Sequence, residues 1–309
     1  MEEKDQFGKP TVSVVMGVYN GERYLAEAVA SILRQSLTEW EFLIVDDGST
    51  DSSAQILKDF AAQDPRIRPF FNENQGLTKS LNFAIEQAQA PYIARMDGDD
   101  VAMPDRLELQ VRALEADSSL VLVGAEVEQV TETGIPLGPR GHLLEHSKIR
   151  ERLLLGHGGS LTHPVVMFRK DAFDAIGGYD EAFVTTQDLD LFLRLTEVGK
   201  ACNLPQTLLH WRQHPQSINR TKAATWAAMR RMALQKTIKR IGVENFLNGM
   251  IPTTDKFNFP SDPLRLGDFA RRRQRSVSAM RFYSRAFLSG PARLRAAKGF
   301  VVALISKLT

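Results

Sequence analysis

The sequence predicts an α/β fold with a mostly parallel sheet, and two observations support this class. First, short apolar runs rich in β-branched residues alternate four times with segments of helical apolar spacing. Such alternation is typical of parallel strands buried between helices. Second, Asp-rich turns follow two of the predicted strands. An open α/β sheet binds its ligands beyond the carboxyl ends of its strands, so these turns predict the position of a site.

Four strand–helix pairs fill the first part of the chain. Strands are predicted at residues 11–19, 41–45, 67–71 and 92–96. The apolar faces of the first three helices contain Leu25, Ala28, Val29, Ile32 and Leu33, then Ile56, Leu57 and Phe60, then Leu77, Leu81, Ala84, Ile85 and Ala88. The Ser and Thr residues of the turn 46–51 are expected to cap the second helix. Pro104 suits the first turn of the fourth helix, where its missing N–H costs little.

The rest of the chain is less regular. Strands are predicted at 120–127 and 165–169, and helices over Gln187–Val198 and Ala223–Ile241. A linker at 248–263 leads into a tail at 264–309 with 11 Lys and Arg residues and one acidic residue, Asp268. Because the whole chain has a formal net charge of only +2, the body is acidic. This distribution argues against a protein made mainly to bind nucleic acid.

The composition of the chain indicates the cellular compartment in which the protein is expected. The chain has 309 residues, 43% of them hydrophobic and 25% charged, which is ordinary for a soluble globular protein. Cys202 is the single cysteine, so no internal disulfide can form and a reducing compartment is indicated. The first residues do not resemble a signal peptide, and no apolar run reaches the ~20 residues that span a bilayer. We expect a cytoplasmic protein, with peripheral attachment to the inner face of the plasma membrane as the open alternative.

The turn after the predicted strand 92–96 is the first candidate site. Asp97, Asp99 and Asp100 surround Gly98 there, and closely spaced carboxylates can jointly bind a hard cation such as Mg²⁺ or Mn²⁺. Such a cation neutralises a diphosphate as it leaves. The plain alternative is a solvated acidic turn, since Asp and Gly are favoured in turns for backbone reasons. The apolar run immediately before the turn favours the functional interpretation.

Asp46 and Asp47, at the end of the second strand, are the next candidates. A carboxylate there can accept hydrogen bonds from a ribose hydroxyl or a base N–H. Dinucleotide-binding dehydrogenases also place an acid at this point, but they need Gly-x-Gly-x-x-Gly after the first strand. Here Gly17 and Gly21 stand four residues apart with an acid beside them. The dehydrogenase interpretation is therefore weak.

Eight motifs in order give the chain a family resemblance. They are Val12–Met16 with Tyr19–Gly21, Ser31–Ser36, Val45–Asp51, Asn74–Leu77 with Asn82, Ala94–Asp100, His163–Pro164, Gly177–Glu181, and Gln187–Leu191 with Arg194. Over about residues 10–220 the chain resembles a family 2 glycosyltransferase of the non-processive, bacterial surface-polysaccharide type. The resemblance implies a nucleotide-sugar donor, most simply a UDP-sugar, and transfer of one sugar to an acceptor hydroxyl with inversion.

The resemblance also implies a fold and a domain division. Residues 1–220 would form a GT-A domain, whose Rossmann-like, mostly parallel sheet is that of nucleotide-diphospho-sugar transferases. Its nucleotide-binding half would cover about 10–118 and its acceptor and catalytic half about 119–220. Residues 221–309 would form a helical C-terminal extension that ends in the basic amphipathic tail.

Roles for the donor site follow from the same resemblance. Asp46, with Asp47 beside it, would bind the uracil in a pocket lined by Val18, Tyr19 and Asn20. Lys79 would face the donor phosphates. The Asp-x-Asp motif Asp97-Gly98-Asp99 would bind the ribose and a Mn²⁺ or Mg²⁺ ion. Asp100 and His214 are further candidate ligands of the metal, although an isolated histidine is more often an ordinary structural residue.

Asp188 matches the catalytic base of inverting members of the family. A carboxylate that takes the proton of a weakly nucleophilic hydroxyl supplies general-base catalysis. The structural alternative is an acid in the first turn of a helix, which the helix dipole stabilises modestly. The family has Glu-Asp where this chain has Gln187-Asp188, so the role of Gln187 stays open. His163 is placed on the acceptor side with Gln187. The Gln-x-x-Arg-Trp motif of processive synthases is absent from the sequence.

The tail predicts a partner. Its basic residues are interspersed with aromatic residues and Leu, a composition that suits the surface of an anionic bilayer. The acceptor would then be a saccharide or a lipid-linked saccharide. Packing of the tail on the body or on a second subunit is the alternative, and the oligomeric state stays open.

Two other functions remain as alternatives. A nucleotidyltransferase also combines an α/β sheet with metal-binding aspartates, but it needs a glycine-rich, basic loop where this chain has Tyr19-Asn20-Gly21-Glu22. A non-catalytic protein that binds nucleotide sugars or nucleic acid would not need Asp46, Asp97, Asp99 and Asp188 together.

Overall fold

The computed structural model describes residues 8–141, 143–214, 223–242, 245–246 and 249. The strands are β1 Val12–Val18, β2 Trp40–Asp46, β3 Ile67–Phe71, β4 Tyr92–Arg95, β5 Val101–Ala102, β6 Leu120–Val130, β7 Pro136–Pro139, β8 Met167–Arg169 and β9 Lys200–Arg212. The helices are α1 Leu25–Leu33, α2 Ser53–Gln63, α3 Leu77–Glu86, α4 Arg106–Ala116, α5 His146–Leu154, α6 Lys170–Ala175, α7 Gln187–Val198 and α8 Ala223–Ile241. The basic tail lies outside the described residues, as does nearly all of the linker.

The described strands form one sheet in the order β3-β2-β1-β4-β8-β6-β9-β5, with β7 paired to β6. The β3-β2-β1-β4 half is parallel, as the alternation of strands and helices predicts. Beyond β4 the sheet is mixed, because β8 runs antiparallel to both β4 and β6 while β6 and β9 are parallel. The predicted α/β class with a Rossmann-like first half is confirmed.

The core lies on both faces of this sheet because strand side chains alternate between faces. On β1, Val14 and Met16 pack with α1 and α4, whereas Val15 packs on the opposite face with α3 and α7. Helix α8 joins that second face through buried residues such as Ala233. None of the described helices combines the length and the apolar character needed to cross a membrane.

Several features differ from the expectation: the short strands β5 and β7 and the helices α5 and α6 are not among the elements predicted from the sequence. Strand β9, which pairs along nearly all of β6, is absent from the elements predicted from the sequence. The Ser and Thr residues after β2 also do not cap α2, since its N-cap Ser52 makes no side-chain cap bond. Instead, the Ser49 and Ser53 hydroxyls accept the backbone N–H groups of Asn20 and Gly21, at 2.9 Å each. The polar turn therefore holds the loop between β1 and α1.

Candidate active site

The donor-side residues line the carboxyl ends of β1 and β2. Asp46 is paired with Val18 in the parallel register, is buried, and accepts the backbone N–H of Ser49 at 2.9 Å. Asn20 has the left-handed backbone conformation (φ 52°), and its side-chain oxygen accepts the N–H of Thr50 at 2.8 Å. Tyr19 is 54% exposed beside it. The two loops are thus joined through Asn20, with the Tyr19 ring turned to solvent.

Asp47 has a structural role in the loop before α3, which Asp46 does not contact through its carboxylate in the same way. One of its carboxylate oxygens accepts Gln75 N–H and the Ser80 hydroxyl, and the other accepts Gly76 N–H, all between 2.8 and 3.0 Å. These bonds hold the loop before α3, the helix that carries the exposed Lys79. Asp47 therefore shapes the loop, and its two oxygens already have protein partners.

The turn after β4 brings three carboxylates together. Ligand oxygens of Asp97, Asp99 and Asp100 lie within 4.8 Å of one another, and Asp100 is buried. Asp100 Oδ1 accepts Arg212 N–H at 2.9 Å, whereas its Oδ2 is buried without a hydrogen-bond partner among the described residues. Burial raises the pKa of Asp100 well above its usual range, and the negative charges of Asp99 and Asp97 raise it further. Like charges at this spacing repel one another unless a cation lies between them.

The donor set fits a divalent metal. Carboxylate oxygens are the ligands that Mg²⁺ and Mn²⁺ prefer, and the unpartnered Oδ2 of Asp100 is a ready ligand. His214 Nε2 lies 2.9 Å from Asp99 Oδ2, so the imidazole reaches the same cluster from the end of β9. The structure thus brings together the four residues that the sequence suggested as metal ligands. Which of them would bind the ion stays a prediction.

Arg212 fastens this turn to the rest of the fold. Its buried side chain donates to the Asp99 carbonyl at 2.8 Å and to the Glu132 carbonyl at 2.6 Å, and it pairs with the Glu27 carboxylate at 2.6 Å. Its guanidinium also lies over the Tyr24 ring, 4.7 Å from the centroid. A single cation, Arg212, therefore joins the acidic turn to the hairpin between β6 and β7 and to α1.

Arg95, at the end of β4, is a second buried cation beside the turn. It forms an ion pair with Asp97, and its Nε has no hydrogen-bond partner among the described residues. Burial raises the pKa of Asp97, and the charge of Arg95 opposes that rise. The same charge acts on Asp100 and on Asp188. The charge of one guanidinium therefore acts on both the acidic turn and Asp188.

Asp188 lies in the first turn of α7. Thr186, the residue before the helix, has φ 63°, a left-handed conformation that is uncommon for a β-branched residue and is often found at functional sites. Asp188 Oδ1 accepts the N–H of Leu189 at 2.8 Å. Burial raises the pKa of Asp188, and the Leu189 N–H bond, Arg95 and Arg140 oppose that rise. A carboxylate in these surroundings is suited to accept a proton near neutral pH.

The two acceptor-side candidates have different surroundings. His163 is buried, and its Nε2 lies 2.7 Å from the Tyr179 hydroxyl. Burial lowers the pKa of His163 well below its usual range, and Arg95 lowers it further, so the ring is neutral at physiological pH. Gln187 is half-buried at the start of α7, next to Asp188. The acceptor role of both residues stays a prediction.

The sequence interpretation missed Arg95, Arg212 and Arg140 as site residues. Arg95 stands two residues before Asp97, and Arg212 two residues before His214. A basic residue so close to each candidate acid or imidazole is the signal that sequence reasoning had available. For Arg140 no such local signal exists, because it is far from Asp188 along the chain.

Solved structures with the same fold define the class. The S. aureus TarS fragment 1–349 in complex with UDP-GlcNAc superposes with a TM-score of 0.62 at 16% identity, covering 96% of this chain and 90% of that one. The mannosyltransferase PcManGT of Pyrobaculum calidifontis, in complex with GDP-Man and Mn²⁺, gives a TM-score of 0.52 at 17% identity, covering 96% and 80%. The fold is therefore GT-A, the fold of nucleotide-sugar transferases.

Sequence comparison assigns the family. Residues 13–177 match the sequence profile of glycosyl transferase family 2. EpsE of Bacillus subtilis (strain 168), a provisionally named glycosyltransferase, is 38% identical over 216 residues, which cover 68% of this chain and 76% of EpsE. The chain belongs to glycosyl transferase family 2.

Two further relatives show the range of the family. The O-antigen biosynthesis glycosyltransferase WbnJ of Escherichia coli is 30% identical over 241 residues, covering 77% of this chain and 92% of WbnJ. The chondroitin synthase of Escherichia coli is 26% identical over 239 residues, but the match spans only 34% of its length. The matched part of this chain thus corresponds to nearly all of WbnJ and to about a third of this synthase.

Proposed function

We propose that this chain transfers a single sugar from a UDP-sugar to an acceptor hydroxyl, with inversion, in the biosynthesis of a cell-surface polysaccharide or glycolipid. The observation that carries the proposal is the arrangement around Arg95. The acidic turn, which suits a metal and a diphosphate, and Asp188, which suits a base, both lie in the field of this one guanidinium. A transferase needs these two chemistries next to each other.

The chain's own residues account for the steps. Asp46 accepts a base N–H of the nucleotide, Asp97 holds the ribose, and Lys79 approaches the phosphates. Asp188 takes the proton of the acceptor hydroxyl as its oxygen attacks the anomeric carbon from the face opposite UDP. The bond from the anomeric carbon to the UDP oxygen breaks, and UDP departs with the electron pair. A Mn²⁺ or Mg²⁺ ion held by Asp97, Asp99, Asp100 and His214 would stabilise the diphosphate charge.

Nucleotide-dependent thermal stability tests the donor and the metal together. UDP with Mn²⁺ should raise the melting temperature of the wild type, since a ligand that binds only the folded state stabilises it by about 2.7 kcal/mol at 100 times its Kd. Asp99→Ala should lose this response because it removes a carboxylate from the cluster. Asp105→Ala is the matched control, since Asp105 is an exposed acid outside the cluster. A response to GDP and not to UDP would overturn the donor assignment, and no response to any nucleoside diphosphate would overturn the transferase mechanism.

The proposal includes peripheral attachment through the tail 264–309. A variant with Gln in place of Arg271, Arg272, Arg273 and Arg275 keeps the chain length and removes four positive charges. Each basic residue near an anionic surface contributes about 1 kcal/mol, so binding to phosphatidylserine vesicles should fall roughly 1000-fold. Vesicle flotation measures this, with phosphatidylcholine vesicles as the neutral control. Equal recovery of both proteins with anionic vesicles would contradict the attachment.

A further inference from the structure

Arg140 lies at the end of the hairpin formed by β6 and β7, on the side of the site that faces β9. Its backbone N–H donates to the Val127 carbonyl at 3.0 Å, which fixes the end of the hairpin. Its guanidinium lies over the Trp211 ring, 4.6 Å from the centroid. Stacking on an aromatic ring holds the plane of an arginine while leaving its N–H edge available.

Two consecutive glycines connect Arg140 with Asp188. A side-chain carbon added at Gly159 would come within 2.3 Å of Arg140 Nη2, so the guanidinium rests directly on that backbone. A carbon added at Gly158 would lie 3.7 Å from Asp188 Oδ2. The guanidinium and the proposed base therefore contact neighbouring residues of one short segment, and Asp188 is the leading negative charge acting on Arg140.

The described part of the chain supplies no hydrogen-bond acceptor to the Arg140 guanidinium. Within the described residues, no carboxylate lies within 4.0 Å of it and no hydrogen bond engages it, although the side chain is half-buried. Burial lowers the pKa of Arg140, and the charges of Asp188 and Glu126 only partly oppose this. An arginine with several unused N–H donors beside a reaction centre is suited to bind a planar carboxylate or a phosphate on two donors at once.

We propose that Arg140 binds an anionic group, a carboxylate or a phosphate, on the acceptor saccharide and so determines acceptor specificity. The inference rests on the proposed function, because it takes the region around Asp188 as the acceptor site. An anion held by Arg140 would orient the acceptor so that one of its hydroxyls meets Asp188. Neutral saccharides would lack this contact.

A glycan array built from matched pairs tests this. Each pair holds a neutral glycan and its uronic acid or phosphorylated counterpart, probed in the presence of UDP and Mn²⁺. The wild type should prefer the anionic members, and Arg140→Gln should lose about 10- to 100-fold in binding to them, as expected for lost hydrogen bonds to a charged group. Arg140→Lys should keep part of the preference. Arg112→Gln is the matched control, since Arg112 is 69% exposed on α4 and pairs with Glu108, away from the proposed acceptor site.

The outcomes separate this inference from the proposed function. Preference for uronic acids identifies a carboxylate, and preference for phosphorylated glycans identifies a phosphate. If UDP with Mn²⁺ stabilises the protein but the wild type shows no anionic preference, or Arg140→Gln keeps it, the role of Arg140 is overturned and the transferase stands. If Arg140 acts only on the charge of Asp188, Arg140→Gln should keep the preference of the wild type for anionic glycans. That result also overturns the proposed role of Arg140. If no nucleoside diphosphate binds, both proposals fall.

Discussion

Replacing Asp188 with asparagine is expected to lower kcat about 1000-fold while leaving UDP binding unchanged. Asparagine keeps the size of the side chain and can still accept the Leu189 N–H that Asp188 accepts at 2.8 Å. Its amide cannot take a proton from the acceptor hydroxyl, however. Because Asp188 lies outside the acidic turn proposed for the diphosphate, single-turnover kinetics should place the loss in the transfer step and not in donor affinity.

The matched control for this change is Asp171→Asn. Asp171 lies in the first turn of α6, is exposed, and accepts the N–H of the following residue, as Asp188 does. If both acids act only on their helix dipoles, the two variants should lose similar amounts of stability. If Asp188 is the catalytic base, only Asp188→Asn should lose turnover. Near-normal turnover by Asp188→Asn would assign the proton transfer to another group.

The pH dependence of the wild type gives a second readout. Burial raises the pKa of Asp188, and a base acts only when it is deprotonated. The reaction should therefore reach its full rate above this raised pKa, and the rate should fall as the pH drops through it. We expect the acid limb of kcat/KM above the range of an ordinary aspartate. That limb should be absent from the residual activity of Asp188→Asn.

The fold was predictable from the sequence wherever each element formed its own local pattern. Strands β1 to β4 are short apolar runs, and α7 and α8 match the predicted helices residue for residue. Strand β9 has no such pattern, because Asn203 and Pro205 interrupt its apolar residues. It is stabilised by pairing with β6, whose register shifts twice between Ala125 and Val127. A strand maintained by long-range pairing leaves little signal in its own residues.

The candidate site shows the same difference between features with a local sequence pattern and features that depend on long-range contacts. The acidic turn and Asp188 carry their signal in adjacent residues and in the family motifs. What the sequence did not reveal is how the charges are balanced. Arg95 and Arg212 stand two residues before Asp97 and His214, but their burial, and the contacts of Arg212 with Glu132 and Glu27, cannot be inferred from that spacing. Arg140 acts on Asp188, which is far along the chain, so no local pattern indicates it. Asp46 and Asp47 show the same limit, since they are adjacent in sequence but only Asp47 has both oxygens engaged by the α3 loop.

Arg212→Met is expected to lower the free energy of unfolding by about 3 kcal/mol. Methionine keeps the unbranched shape but removes the donors to the Asp99 and Glu132 carbonyls, and polar groups left buried without partners carry their full desolvation cost. The Glu27 carboxylate contributes less, since it is 56% exposed and water can solvate it. Urea unfolding with a common m-value measures the loss.

Arg23→Met is the matched control because both arginines lie over Tyr24 and both engage Glu132. Arg23 pairs with the Glu132 carboxylate but is 56% exposed, so its loss should cost less than about 1 kcal/mol. Arg212→Met should also weaken the stabilisation by UDP with Mn²⁺, since the Asp99 carbonyl would no longer be held. The Asp100 bond to the backbone N–H of residue 212 should persist, so some metal response should remain. Equal losses of stability in the two variants would mean that the buried donors do not fasten the acidic turn.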